Sequence, residues 1–174
     1  MNQRWGKARS STSPCRMEKP VEAVLTDEQR THENPLRILI AEDNRADSYL
    51  IRQAFSREKT ACDLRVMEDG DEVLQYLTRS GERPESPLPD IIVLDLNLPK
   101  RDGAELLAAI RAHAALKHVA VAIVSSSPEE VAMKSVAQAD CYIRKPTKLA
   151  QFLAIAREIL DCYRSTKAKK ACGA

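Results

Sequence analysis

Apolar residues enter this chain in short bursts that alternate with amphipathic stretches, and the alternation begins only at Leu36. Residues 1–34 are rich in Ser, Thr, Arg, Lys, Glu and Pro and carry little apolar periodicity, so they read as a flexible N-terminal extension with at most a short helix around Val21–Arg30. Arg37-Ile38-Leu39-Ile40-Ala41 is an apolar run suited to a strand buried on both faces. Ala46–Arg57 then places Leu50, Ile51, Ala54 and Phe55 at helical spacing, and Leu64 and Val66 alternate with polar neighbours as in a short strand. Gly70–Arg79 predicts a helix with Val73, Leu74 and Leu77 inward, and Ile91–Leu94 is the strongest buried strand. Gly103–His113 predicts a helix on Leu106, Leu107 and Ile110, and Val119–Val124 a fourth strand. Pro128–Gln138 predicts a helix whose proline sits in the first turn, where the missing N–H costs nothing. Cys141-Tyr142-Ile143 is a short fifth strand. Leu149–Cys162 is the last helix, with Leu149, Phe152, Leu153, Ile155, Ala156 and Ile159 on its apolar side.

Five strand–helix units joined by short links imply an α/β sandwich, a parallel sheet with helices on both faces. This places one domain over residues 35–163, followed by a basic tail, residues 164–174, that reads as solvated. With aromatics at only 4% of 174 residues, the core must be aliphatic. A net charge of +2 is too small to imply a nucleic-acid partner. No apolar run approaches the roughly 20 residues that span a bilayer, and residues 1–20 contain no apolar core of a signal peptide. Five scattered cysteines, an odd number with no CxxC pair, fit a reducing compartment. Cys141 reads as a small core residue. The expected location is cytoplasmic, with no membrane partner.

In an open parallel sheet, chemistry gathers at the carboxyl ends of the strands. There the first strand ends in Glu42-Asp43, the third in Asp95 followed by Leu96-Asn97, the fourth in Ser125-Ser126-Ser127, and the fifth is followed by Lys145-Pro146. Each piece has an ordinary explanation. An acid pair after a strand caps a helix, an Asp at a strand end forms a turn, and a Ser run or a Lys-Pro pair occurs in any loop. Their joint placement at four strand ends is harder to explain that way. Three crowded carboxylates repel unless a cation intervenes. A hard divalent ion such as Mg²⁺ suits them, and with Lys145 the formal charges sum to about zero. Such a site accepts an anionic phosphoryl group, with Asp95 as nucleophile.

From Arg37 to about Cys162 the chain resembles the receiver domain of two-component response regulators. The resemblance rests on ILIAEDN at 38–44, IIVLDLNLPKRDG at 91–103, VAIVSSS at 121–127 and CYIRKP at 141–146. Within the family, the DLNLPKRDG stretch and the loop 83–89 are most similar to single-domain regulators that partner phytochrome-type sensor kinases. The resemblance implies a flavodoxin-like (βα)5 doubly wound fold with strand order 2-1-3-4-5. It implies Asp95 as phosphoacceptor, and Glu42, Asp43, Asp95 and the Asn97 carbonyl as Mg²⁺ ligands. It implies Ser125 as switch hydroxyl, with Ser126 as the one-residue alternative, Tyr142 as the aromatic whose rotamer follows phosphorylation, and Lys145 as the phosphate-binding lysine. Lys145–Pro146 is expected to be cis. Asn97 and Ser127 occupy positions that tune dephosphorylation, and Gly103 matches the turn after the phosphorylation loop.

The implied function is that of a stand-alone response regulator. It takes a phosphoryl group from a sensor histidine kinase and signals to a downstream protein, to a phosphotransfer protein or through a homodimer. It is not an enzyme beyond its own phosphotransfer and dephosphorylation. A pseudo-receiver that is never phosphorylated is the principal alternative. A haloacid-dehalogenase-type phosphohydrolase requires a second Asp where Asn97 stands. A flavodoxin-like FMN binder lacks a phosphate loop after the first strand, where Glu42-Asp43 repels phosphate.

Overall fold

The computed structural model describes residues 34–80, 87–126 and 137–172. The sequence-predicted helix Val21–Arg30, Ser127, most of the helix predicted over Pro128–Gln138 and the first part of the loop 83–89 lie outside the described residues. Strands β1 (Leu36–Ala41), β2 (Cys62–Met67), β3 (Ile91–Leu94), β4 (Ala120–Ser125) and β5 (Cys141–Arg144) form one sheet in the order β2-β1-β3-β4-β5. All four pairings are parallel. Helices α1 (Arg45–Phe55), α2 (Gly70–Arg79), α3 (Gly103–Ala112), the single turn α4 (Leu149–Phe152) and α5 (Ile155–Cys172) cover it. The architecture and strand order are those the resemblance implies.

Alternation along the strands divides the core between the two faces. Leu36, Ile38, Ile40, Val93, Ala122 and Val124 point to the side covered by Ile51 and Phe55 of α1 and by Ile155, Ile159 and Tyr163 of α5. Leu39, Ala41, Ile92, Leu94, Val121 and Ile123 point to the other side, against Val73 and Leu77 of α2 and Leu106, Leu107 and Ile110 of α3. The central strands β1, β3 and β4 are therefore almost wholly apolar, as a sheet covered on both faces requires. Edge strand β2 alternates between half-buried and exposed positions instead.

Five expectations are corrected. The last helical segment does not run unbroken over 149–162. It breaks after Phe152 and resumes as α5, which continues to Cys172. Much of the basic stretch read as a solvated tail is thus helical, and it is anchored because Tyr163 and Thr166 are buried one turn apart. Leu149 is exposed rather than inward, since it opens the short turn before the helix reaches the sheet. Cys141 is not merely a core residue: it is disulfide-bonded to Cys162, tying β5 to α5. An odd cysteine count says nothing about whether two of them meet in space. Finally, no described peptide bond is cis, so Lys145–Pro146 is trans, the form an X–Pro bond favours by about 0.5–1 kcal/mol when nothing opposes it.

Candidate functional site

The parallel register brings the carboxyl ends of β1, β3, β4 and β5 to one edge. Asp95 N–H donates to Ala41 O at 3.0 Å, which sets the residue after β3 beside the end of β1. Lys145 N–H donates to Ser125 O at 2.9 Å, which does the same for β5 and β4. Glu42, Asp43 and Asp95 each offer a carboxylate oxygen within 4.8 Å of the others. Glu42 and Asp95 are buried, whereas Asp43 is exposed.

Lys145 bridges this edge. Its Nζ lies 2.6 Å from Asp95 Oδ2 and 2.7 Å from Glu42 Oε2, and its side chain is only 6% exposed. A third carboxylate completes its surroundings: Asp47 Oδ2, 2.9 Å away on the first turn of α1. The sequence reading missed Asp47. The available signal was an acid in the first turn after the N-cap Asn44, where a carboxylate also offsets the helix dipole. With Asp47 included, four carboxylates and one ammonium leave a formal charge of about −3, so a divalent ion brings the site to about −1 rather than to zero.

The electrostatics follow from burial. Desolvation is the largest influence on Glu42 and pushes its pKa from an ordinary 4.5 up to about 7, although the hydrogen bond and charge of Lys145 pull it down. Burial also disfavours the Lys145 ammonium. Its hydrogen bonds to Asp95, Glu42 and Asp47 outweigh that penalty and hold its pKa above the ordinary lysine value. The donor set is chemically suited to a hard divalent cation: only oxygens converge, one carboxylate is open to solvent, and the buried negative charge is incompletely neutralised.

The loop after Asp95 is braced from several directions. Asn97 N–H donates to Asp95 Oδ1 at 3.1 Å, and Gly103 N–H returns to Leu96 O at 3.0 Å. A Cβ at Gly103 would stand 2.3 Å from Asp95 O, so α3 can start this close to the loop only with glycine there. Lys100 adopts a left-handed conformation, φ 63°, and its ammonium pairs with Asp69, the N-cap of α2. That hydrogen bond holds Asp69 below and Lys100 above their ordinary pKa values. Arg101 Nε pairs with Asp71 Oδ1 at 2.8 Å.

Among the other residues singled out, Ser125 ends β4 and is fully buried, whereas Ser126 is exposed. Tyr142 is half-buried on β5 and packs against the α2/α3 side of the core. Asn97 is exposed and Pro146 half-buried. Ser127 lies outside the described residues. No helix among the described residues is long and apolar enough to cross a membrane.

Comparison with known proteins agrees with this fold. A family model of the response regulator receiver domain matches residues 38–157. The response regulator Rcp1 of Synechocystis sp. is 34% identical over 134 residues, spanning 76% of this chain and 91% of its own. The solved structure of the phosphorylated cyanobacterial phytochrome response regulator RcpA superposes with a TM-score of 0.68 at 36% identity, covering 76% of this chain and 96% of its own. The Mn²⁺-bound form of Rcp1 superposes with a TM-score of 0.65 at 34% identity, over 72% and 91% of the two chains.

Proposed function

This chain belongs to the response regulator receiver domain family, and on that premise we propose that it accepts a phosphoryl group on Asp95 from a sensor histidine kinase of the phytochrome type. The observation that carries the reading is the Lys145 ammonium held against Asp95 and Glu42 beside the exposed Asp43. A carboxylate nucleophile, a fixed cation and an open acidic cluster occupy one edge of the sheet.

In the proposed reaction an Asp95 carboxylate oxygen attacks phosphorus in line. The bond from phosphorus to the donor's imidazole nitrogen breaks, and that nitrogen keeps the electron pair. Glu42, Asp43, Asp95 and the Asn97 carbonyl would hold Mg²⁺, whose charge offsets the carboxylates and the phosphoryl oxygens. Lys145 holds a phosphoryl oxygen of the product, and the Asn97 N–H steadies Asp95 before attack. Ser125 then turns toward the phosphoryl group and Tyr142 moves inward, biasing a two-state equilibrium at the β5 surface. A downstream or phosphotransfer protein, or a second copy of the chain, reads that surface. Ser126, the next residue in the chain, is the alternative to Ser125 in this role. The reading carries a cytoplasmic location with it.

Incubation with acetyl phosphate and Mg²⁺ followed by intact-mass measurement tests the proposal. The expected result is a gain of one phosphoryl group that is absent in Asp95→Asn. No gain from acetyl phosphate or from a cognate kinase would identify a pseudo-receiver, and steady turnover of a phosphomonoester would identify a hydrolase.

A further inference from the structure

We propose that Asp47 is a positioning residue that gives the Lys145 ammonium a charge partner outside the acid cluster, so that Lys145 can release the Glu42 and Asp95 oxygens to a divalent ion. The proposal rests on the receiver reading and extends it to a residue outside the acid cluster. An ammonium has three N–H donors, and here each faces a different carboxylate: Asp95 at 2.6 Å, Glu42 at 2.7 Å and Asp47 at 2.9 Å. Two of the three partners are also the buried members of the acid cluster. Their remaining oxygens are already engaged, Glu42 Oε1 by Asn44 N–H at 3.2 Å and Asp95 Oδ1 by Asn97 N–H at 3.1 Å. An incoming cation and Lys145 therefore compete for the same oxygens.

Asp47 is the partner that stands apart from the competition. It sits in the first turn of α1, and that turn is fixed by the Asn44 cap, whose Oδ1 accepts from Ala46 N–H at 2.9 Å. A carboxylate anchored on a helix is better held than one on a loop. As the ion takes Glu42 and Asp95, Lys145 can loosen its hold on both without becoming an unpaired buried charge, because Asp47 still neutralises it. Without Asp47, releasing those oxygens would leave the ammonium buried and unpaired, so the lysine would keep them and the ion would bind more weakly.

The test is Mn²⁺ binding to the full chain, read from the loss of the free-ion paramagnetic resonance signal. It uses wild type, Asp47→Asn, Lys145→Ala and the double variant, with thermal melts in EDTA as a check of folding. Asn keeps the size and an acceptor oxygen but removes the charge; Asp47→Ala serves as a second variant. Outer partners of metal ligands typically govern about a tenfold change in affinity, and a loss of that order is expected in Asp47→Asn. In the Lys145→Ala background the same substitution should have little effect, because the ammonium it partners is gone. Unchanged affinity in Asp47→Asn and Asp47→Ala overturns the inference. So does an equal loss with and without Lys145, which would mean that Asp47 acts on the ion by its own charge. A wild-type chain that binds no Mn²⁺ and takes no phosphoryl group overturns the receiver reading together with the inference. Normal wild-type behaviour with unresponsive variants removes the inference alone.

Discussion

At the residue scale, Glu42 illustrates how burial and charge pull against one another. Its folded-state pKa, about 7, stands above the ordinary 4.5. Below the ordinary value the side chain is neutral whether folded or unfolded, and it costs nothing. As pH rises from there, the unfolded chain ionises first and gains relative to the fold, until the folded side chain ionises near 7. The cost is then fully present at higher pH. Glu42→Gln should therefore raise the urea midpoint of the metal-free protein at pH 8, and the difference from wild type should shrink toward pH 5. A difference that grows as pH falls would contradict this assignment. Asp95 and Lys145 stood out in the sequence because both sit at strand ends. Asp47 did not, since an acid three residues after a helix cap is explained by the helix alone.

At the scale of elements, the start of α3 is set by contact rather than by helix propensity. Gly103 opens the helix behind its cap Asp102, and its amide reaches back to Leu96 O. On propensity alone, alanine there would favour the helix by about 1 kcal/mol. The space decides the other way: the added Cβ would meet Asp95 O at 2.3 Å and Leu96 Cα at 2.6 Å, both backbone atoms that cannot swing aside. Gly103→Ala should destabilise the protein by about 1–3 kcal/mol and slow phosphoryl uptake on Asp95, because the segment that must move carries the nucleophile. Chemical denaturation together with the acetyl phosphate assay would measure both. An alanine variant as stable as wild type would show that α3 can shift without disturbing the loop. The strands and helices over the described core lie close to their sequence positions because each carries its own period. The extent of α5 was less legible, since Tyr163 and Thr166 are buried by the fold within a stretch that is otherwise basic and polar.

Across the whole molecule, the Cys141–Cys162 bond is the covalent link between the edge strand beside the site and the closing helix. It joins residues 21 apart in sequence, a loop whose closure is worth about 3 kcal/mol through restriction of the unfolded chain. Dithiothreitol should lower the melting temperature of the wild-type protein and leave Cys162→Ala unmoved. Equal melting with and without reductant would mean that the bond adds no stability. Cys141 directly precedes Tyr142, so the same comparison under acetyl phosphate reports whether the link restrains the response of β5.

The sequence by itself determined the layered α/β plan, the order of its elements and the four strand ends where chemistry gathers. Periodicity and apolar runs are local signals, and parallel strands must return their carboxyl ends to one edge. The partnerships made across that edge were decided only by tertiary structure: Asp47 with Lys145, Cys141 with Cys162, Gly103 against the backbone of Asp95, and the trans bond at Pro146. Each depends on distances between segments far apart in the chain, and no local pattern records those distances.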